Sequence, residues 1–178
     1  INLTLRSALS GEQRENLLSA KQCSEDLLRI INDILDFSKL ESGKMQLEEI
    51  RYDLKELLSR VVSVHEKIAR GRGLDFLCSF APDLPQYVRG DPLRLRQILH
   101  NLLSNALKFT SAGQVQITVA CGDHAGRPVL EFAIEDTGIG MEEKDIKKLF
   151  QAFSQVDGSS TRRFGGTGLG LMIVKELI

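Results

Sequence analysis

Apolar side chains recur at intervals of three and four residues between Ser10 and Ser42, a spacing typical of one face of an α-helix. Ser10 and Gln13 have the spacing of a capping box, and Gly43 ends the pattern. The in-phase positions are Leu17, Ser24, Leu27, Ile31, Ile34 and Ser38, and the stripe is widened by Leu28, Ile30 and Leu35. So wide a stripe predicts a helix in a bundle that also dimerises. An ordinary core helix is the alternative interpretation.

Shorter patterns follow Gly43 and alternate between strand and helix. Residues 45–50 alternate and predict a strand, and Asp53-Leu54-Lys55-Glu56 predicts a second capping box that opens a helix to about Arg70. Residues 74–80 are apolar enough for a buried strand, and residues 86–89 form a candidate short strand.

The second half of the chain begins with Asp91-Pro92, a capping carboxylate followed by proline at the first helical position. Alternation at residues 115–119 and 130–134 predicts an antiparallel hairpin across Gly122–Gly126. Two further helices are predicted over residues 142–150 and 168–178. The apolar face of the helix after Pro92 consists of Leu95, Ile98, Leu99, Leu102, Leu103 and Ala106.

These elements predict an α+β fold, a two-layer α/β sandwich with helices on one face of a mixed or antiparallel sheet. A helical hairpin arm precedes it. We place the domain boundary so that the arm comprises residues 1–43 and the sandwich residues 44–178.

Charge and cysteine content exclude several classes of protein. The 178 residues carry a net charge of −1, so no basic field is present to bind nucleic acid or an anionic membrane. The three cysteines, Cys23, Cys78 and Cys121, are widely spaced and predict neither a disulfide framework nor a zinc site. No apolar run has the length of a membrane span, and no signal peptide opens the chain. We expect a cytoplasmic segment, and a parent protein anchored in the inner membrane stays compatible with it.

The helix after Pro92 carries a polar motif, residues 101–110, that suits a metal–triphosphate. Asn101 and Asn105 are four residues apart and therefore share a helix face, and Lys108 lies on a neighbouring part of it. Magnesium accepts an amide oxygen among waters and phosphate oxygens. A polar stripe on a surface helix is the alternative.

Two glycine motifs follow. Asp136-Thr137-Gly138-Ile139-Gly140 comes directly after a predicted strand, where a carboxylate can accept hydrogen bonds from an adenine amino group. Residues 165–171 open the last helix, where freed backbone amides can bind phosphate. Between them, residues 154–166 are polar, glycine-rich and basic, which predicts a mobile loop. An ordinary turn and a solvated basic loop are the alternatives.

In this order the three motifs resemble the ATP-binding domain of sensor histidine kinases, within the superfamily shared with DNA gyrase, MutL and a heat-shock chaperone ATPase. Residues 30–44 resemble the second dimerisation helix of the hybrid members. The resemblance implies the histidine-kinase ATPase sandwich, with Mg²⁺ and ATP as cofactors. It implies Mg²⁺ binding by Asn105, phosphate contact by Lys108 and adenine recognition by Asp136. The remaining implied ATP-binding residues are Asn101, Gly138, Gly140, Phe153, Arg162, Arg163, Gly166, Thr167, Gly168, Leu169 and Gly170, with Phe150 beside Phe153 in a phenylalanine box.

The implied activity is transfer of the ATP γ-phosphate to a histidine and onward to a receiver aspartate. The implied partners are a second copy, bound through the N-terminal helices, and a receiver domain. The acceptor motif His-Glu-x-Arg-Thr-Pro is absent, and His65, His100 and His124 do not replace it. We expect the chain to be part of a longer kinase, which also supplies the C-terminal strands of the domain.

Two rival functions stay open. The first is an ATP-hydrolysing relative, although Asn101 replaces the glutamate that activates water in those members, and an amide has no accessible basic form near neutral pH. The second is a non-catalytic dimer scaffold with a dead pocket. A mitochondrial protein-serine kinase of the same superfamily fits residues 12–42 and 167–171 less well.

Overall fold

A computed structural model describes residues 1–146, 149 and 168–178 of the chain. Its internal contacts divide it into two compact units, Ile1–Met45 and Gln46–Ile178. The domain boundary that we predict after residue 43 stays a prediction.

The first unit is one long helix, α1 (Gly11–Glu41), preceded by a short 3-10 helix at Thr4–Arg6. The predicted capping box is present, because Ser10 Oγ accepts from Gln13 N at 3.2 Å and Gln13 Oε1 accepts from Ser10 N at 3.0 Å. These two bonds satisfy N–H groups that a helix start would otherwise leave unpaired. Large apolar side chains of α1 stay exposed in the single chain, among them Leu27, Leu28, Ile31, Ile34 and Leu35.

The second unit alternates strands and helices. Its elements are β1 (Ile50–Asp53), α2 (Leu54–Gly71), β2 (Asp75–Phe80), β3 (Tyr87–Gly90), α3 (Pro92–Phe109), β4 (Gln114–His124), β5 (Arg127–Asp136), α4 (Glu143–Ile146) and α5 (Gly170–Leu177). β1 and β3 form a two-stranded antiparallel sheet, while β2, β4 and β5 form a mixed sheet in that order. The fold is therefore α+β, as predicted.

The β4–β5 hairpin closes more tightly than its sequence suggested. Its ladder runs from Val115 opposite Asp136 to His124 opposite Arg127, so the loop shrinks to Ala125 and Gly126. Both loop residues have positive φ, 53° and 76°, which is the conformation of the two-residue turns that match strand twist. The Asp123 carboxylate accepts from Gly126 N at 2.8 Å and stabilises the turn.

The core of the second unit lies between the helices and one face of β4. Alternate β4 residues are buried, whereas their neighbours are half-exposed, as expected for a strand covered on one face. Fully buried side chains include Leu54 and Leu58 of α2, Leu99 and Leu103 of α3, Val115, Ile117 and Val119 of β4, and Ile173 of α5.

Two strand predictions were wrong in detail. The alternation at residues 45–50 does not form a strand; β1 begins only at Ile50, where Gly90 becomes available as its partner. β2 is mostly exposed, because within the described residues it pairs with β4 alone and lies at a sheet edge. Leu77 and Phe80 are consequently 44% and 41% exposed.

Candidate functional site

Helix α3 is the frame of the predicted site. Asp91 caps it by accepting from Leu93 N and Arg94 N at 3.0 Å each, and its second oxygen accepts from Glu48 N at 3.1 Å. Burial raises the pKa of the Asp91 carboxyl, but these N–H groups lower that pKa by more, so its net shift is downward. The buried side of α3 is apolar, whereas Asn101 and Asn105 are half-buried.

The first asparagine joins α3 to the second glycine motif. Asn101 Nδ2 donates to Gly170 O at 3.3 Å, although the two residues are 69 positions apart. A Cβ on Gly170 would lie 3.4 Å from the Asn101 amide carbon, so the amide sits directly against the first turn of α5. Leu169 is fully buried at this junction, and Gly168 has a φ of 70°.

The second asparagine has an available amide. Within the described residues, the Asn105 side chain makes no hydrogen bond, so its carbonyl oxygen can serve as a ligand. Lys108 lies three positions further along α3, with its Nζ 4.8 Å from the centroid of the Phe109 ring. Both residues are half-buried.

The C-terminus of α3 contacts the first glycine motif. Ile139 N donates to Phe109 O at 3.3 Å, and a Cβ on Gly138 would lie 2.5 Å from that oxygen, so only glycine fits. Gly138 N also donates to Asp136 Oδ1 at 2.9 Å, which leaves Oδ2 without a partner among the described residues. Gly140 has a φ of 66° and open space around it, so backbone conformation alone favours glycine there.

The structure therefore brings the asparagine motif and both glycine motifs into contact along α3. Asn101 contacts Gly170, Phe109 contacts the loop after Asp136, and Asn105 and Lys108 lie between these two contacts. Eight residues of α-helix separate Asn101 from Phe109, a distance of about 12 Å along the axis. The remaining predicted residues, Phe150, Phe153, Arg162, Arg163, Gly165, Gly166 and Thr167, lie outside the described residues.

Sequence reasoning missed a histidine pair beside Asn101. Buried His65 of α2 donates from Nδ1 to Val61 O at 2.8 Å, and its Nε2 lies 3.0 Å from Nδ1 of His100. Burial lowers the pKa of His65, although its bond to Val61 opposes that shift. The two histidines are 35 positions apart, and no sequence spacing signals their contact.

Sequence reasoning also missed Thr137 and Gly113. Thr137 Oγ1 accepts from Gln114 N at 3.0 Å. Gly113 lies so close to the same hydroxyl that a Cβ at this position would overlap it. Thr137 lies inside a recognised motif, but its partners belong to the start of β4 and the turn before it, and no local pattern connects the two.

The described residues contain no cluster of three His, Cys, Asp or Glu side chains arranged to hold a metal ion. Within the described ranges, no helix combines the length and apolar character needed to cross a membrane.

Comparison with known families identifies the frame just described. Residues 90–178, which contain α3, both glycine motifs and α5, match the family model for histidine kinase-, DNA gyrase B- and HSP90-like ATPases. The chain belongs to this ATPase family. Residues 1–43, which contain α1, match the model of the His Kinase A (phospho-acceptor) domain.

Similar full-length proteins are hybrid or sensor kinases by name. The chain is 46% identical over 177 residues to the signal transduction histidine-protein kinase BarA of Escherichia coli K12, covering 99% of the chain and 19% of BarA. It is 43% identical to the sensor protein GacS of Pseudomonas syringae, covering 99% of the chain and 20% of GacS. The chain thus spans about a fifth of the length of the curated relatives it matches.

Solved structures of histidine kinases share the fold. Full-length ShkA in complex with AMPPNP superposes with a TM-score of 0.76 at 33% identity, covering 97% of this chain and 35% of ShkA. The catalytic domain of the histidine kinase ThkA gives 0.54 at 26% identity, covering 74% of this chain and 80% of that domain.

Proposed function

We propose that residues 46–178 bind Mg-ATP and form the catalytic part of a sensor histidine kinase. The observation that carries this proposal is the position of α3, which hydrogen-bonds to Gly170 from Asn101 near its middle and to Ile139 from Phe109 at its C-terminal end. A ligand lying along the intervening helix would meet both glycine motifs together with Asn105 and Lys108. The similarity to ShkA, solved with the ATP analogue AMPPNP, supports the same conclusion.

Each group has a role suited to its chemistry. The unpartnered Oδ2 of Asp136 can accept a hydrogen bond from the adenine 6-amino group. The Asn105 carbonyl oxygen is a hard ligand for Mg²⁺, which typically takes few protein oxygens and completes its shell with phosphate oxygens and water. Lys108 adds positive charge near the phosphates, and the backbone N–H groups at the start of α5 favour an anion. The basic and phenylalanine-box residues outside the described ranges complete the proposed ATP site.

Asn101 favours phosphoryl transfer over hydrolysis. An amide cannot take a proton from water near neutral pH, so the residue supplies no general base. Its Nδ2 is also engaged by Gly170 O. The site therefore holds ATP and neutralises charge, and the attacking nucleophile must come from elsewhere.

In the whole protein, we propose that this nucleophile is a histidine that is none of His65, His100 and His124. Residues 1–43 match the phospho-acceptor domain but contain no histidine. The phosphoryl group would then pass to a receiver aspartate, since similar proteins include the hybrid signal transduction histidine kinase A of Dictyostelium discoideum. The exposed apolar stripe of α1 supports homodimerisation. We assign the segment to the cytoplasm. A membrane anchor of the parent protein would lie outside this segment.

Labelling of the parent kinase with γ-³²P-ATP tests the proposal. We expect acid-labile phosphate on the protein, slow release of free phosphate, and loss of labelling in Asn105→Asp. A charge change at Asp123, remote from α3 at the β4–β5 turn, provides the matched control, and Asp123→Asn should label normally. Rapid release of phosphate without labelled protein would establish the ATP-hydrolysing alternative. Absence of both phosphate release and labelled protein would favour the non-catalytic dimer scaffold.

A further inference from the structure

The loop that carries Asp136 is anchored on the start of β4 through the backbone and the side chain of Thr137. Thr137 N donates to Gln114 O at 3.1 Å, and Thr137 Oγ1 accepts from Gln114 N at 3.0 Å. As a donor, the same hydroxyl faces Gln114 O at 3.4 Å and Ala112 O at 3.5 Å. The last regular pair of the β4–β5 ladder is Val115 with Asp136. Thr137 thus extends the ladder by one residue. Its side-chain hydroxyl accepts from Gln114 N, where a backbone carbonyl oxygen would accept in a regular ladder.

The turn on the other side of this contact is shaped to receive the hydroxyl. Gly113 has a φ of 103°, and a Cβ there would overlap Thr137 Oγ1. Only glycine therefore permits both the backbone conformation and the approach of the threonine. Gly113 O also accepts from Asp75 N at 3.0 Å, so the turn is fixed to the start of β2.

The loop is held from its far side as well. Phe109 O accepts from Ile139 N and excludes any side chain at Gly138, while Gly138 N fixes Asp136 Oδ1. Asp136 itself is exposed, and the hydrogen bond that the described residues make to its carboxylate comes from Gly138 N. Its direction therefore depends on the backbone at positions 137 and 138, which is clamped between Gln114 and Phe109.

We propose that Thr137 is a positioning residue that aims the Asp136 carboxylate and thereby sets the preference for adenine over bases without a 6-amino group. This inference rests on the proposed function, because it assumes that Asp136 accepts from adenine. Inosine triphosphate has a carbonyl oxygen in place of that amino group, so it cannot make the bond from a 6-amino group to Asp136. Loss of the Thr137 anchor should lower affinity for ATP alone.

The test compares affinities for ATP and inosine triphosphate, measured by calorimetry with Mg²⁺. Thr137→Val keeps the shape and removes the hydroxyl, and it should reduce the ATP-to-inosine-triphosphate affinity ratio about fivefold, as expected for one hydrogen bond. Thr137→Ser keeps the hydroxyl and should retain most of the wild-type ratio. A general folding defect would weaken both nucleotides equally and leave the ratio unchanged.

A second variant reaches the contact from the other side. Gly113→Ala forces a Cβ against Thr137 Oγ1 and should lower the ratio although the hydroxyl is present. Gly126→Ala is its matched control, because Gly126 also has a positive φ of 76° but no atom within 4 Å of the added Cβ. It should leave the ratio unchanged, and thermal melts identify any variant that does not fold.

The outcomes separate the two levels of inference. In one outcome, Thr137→Val leaves both affinities unchanged or weakens both equally, while Asp136→Asn loses affinity for ATP. That result overturns the role of Thr137 but not the adenine contact of Asp136. An unchanged ATP affinity in Asp136→Asn removes the adenine contact and the Thr137 proposal with it. A wild-type chain that binds neither nucleotide overturns the proposed function.

Discussion

At the scale of single residues, the histidine pair has a defined proton arrangement. A carbonyl oxygen can only accept, so His65 Nδ1 carries a proton toward Val61 O. Neutral His65 therefore accepts at Nε2, and His100 Nδ1 must donate to it. Protonation of His65 at Nε2 would require His100 to switch tautomer, so that its Nδ1 accepts instead of donating. Burial of His65 is what disfavours its protonated form.

This arrangement makes folding stability depend on pH. The pKa of His65 lies below its ordinary value of 6.5 in the folded chain, so the unfolded chain takes up the proton first as the pH falls. The contribution is fully present above pH 6.5 and is lost as the pH falls below it toward the folded pKa. Urea unfolding at pH 7.5, 6.5 and 5.5 should show a loss of up to about 1.4 kcal/mol per pH unit from this group.

Replacement of the histidine provides the check on that slope. His65→Gln removes the titrating group, so its free energy of unfolding should change less between pH 7.5 and 5.5 than that of the wild type. His124→Gln alters an exposed histidine at the end of β4 and should keep the wild-type slope. Identical slopes in all three proteins would contradict the account of His65.

At the scale of elements, capping signals were the most reliable guide from sequence. Ser10, Asp53 and Asp91 each cap the helix predicted for them, because the cap is a local interaction between side chain and adjacent backbone. Strands were less predictable, since their existence depends on a distant partner. The run at residues 45–50 lacks one along most of its length, and β2 lies at an edge that its apolar composition does not reveal.

Asp91 should contribute more to stability than an ordinary helix cap. Its carboxylate accepts from two N–H groups of α3 and one of residue 48, so Asp91→Ala should cost about 2 kcal/mol, at the upper end for caps. Because the folded pKa of Asp91 is lowered, this contribution is present above its ordinary pKa of 3.8 and is lost as the pH falls further. Urea denaturation at pH 7 measures the cost, with Ser10→Ala, an exposed cap of α1, as the comparison. A smaller loss for Asp91→Ala would contradict the prediction.

The exposed stripe of α1 should mediate self-association. Ile31 is 44% exposed between Leu27 and Ile34, so Ile31→Glu should place a charge in the dimer interface and shift the chain to monomer. Asn32→Glu adds the same charge about 100° around the helix and should leave the dimer intact. Sedimentation velocity measures both. A monomeric wild type, or equal dissociation in both variants, would count against the interface.

At the scale of the whole molecule, sequence motifs indicated the groups of the proposed site but not the contacts that hold them. Asn105, Asp136 and Gly170 stand out as residue types at informative spacings. Thr137 with Gln114 and Asn101 with Gly170 are 23 and 69 residues apart, and only the folded chain brings them together. The periodicity of apolar residues indicates which face of one helix or strand is buried. Contacts between distant residues depend on how the helices and strands are positioned relative to one another.

The chain should bind ATP without phosphorylating itself. His65 is buried with both ring nitrogens engaged, and His100 Nδ1 is committed to His65. His124 ends β4, ten residues and about 33 Å from the Gln114 end that contacts the Asp136 loop. Incubation with γ-³²P-ATP should yield no acid-labile phosphate on these 178 residues. Label at any of the three histidines would refute the argument that none is the acceptor.

The most direct test of the account is calorimetric titration of this chain with ATP in the presence of Mg²⁺. We predict one site, with affinity reduced about tenfold or more in Asp136→Asn, because a charge-assisted bond is lost, and reduced also in Asn105→Asp. Asp123→Asn makes the same chemical change as Asp136→Asn at the far hairpin turn and should bind as the wild type does. Absence of ATP binding, or equal affinity in all four proteins, would contradict the assignment of the site.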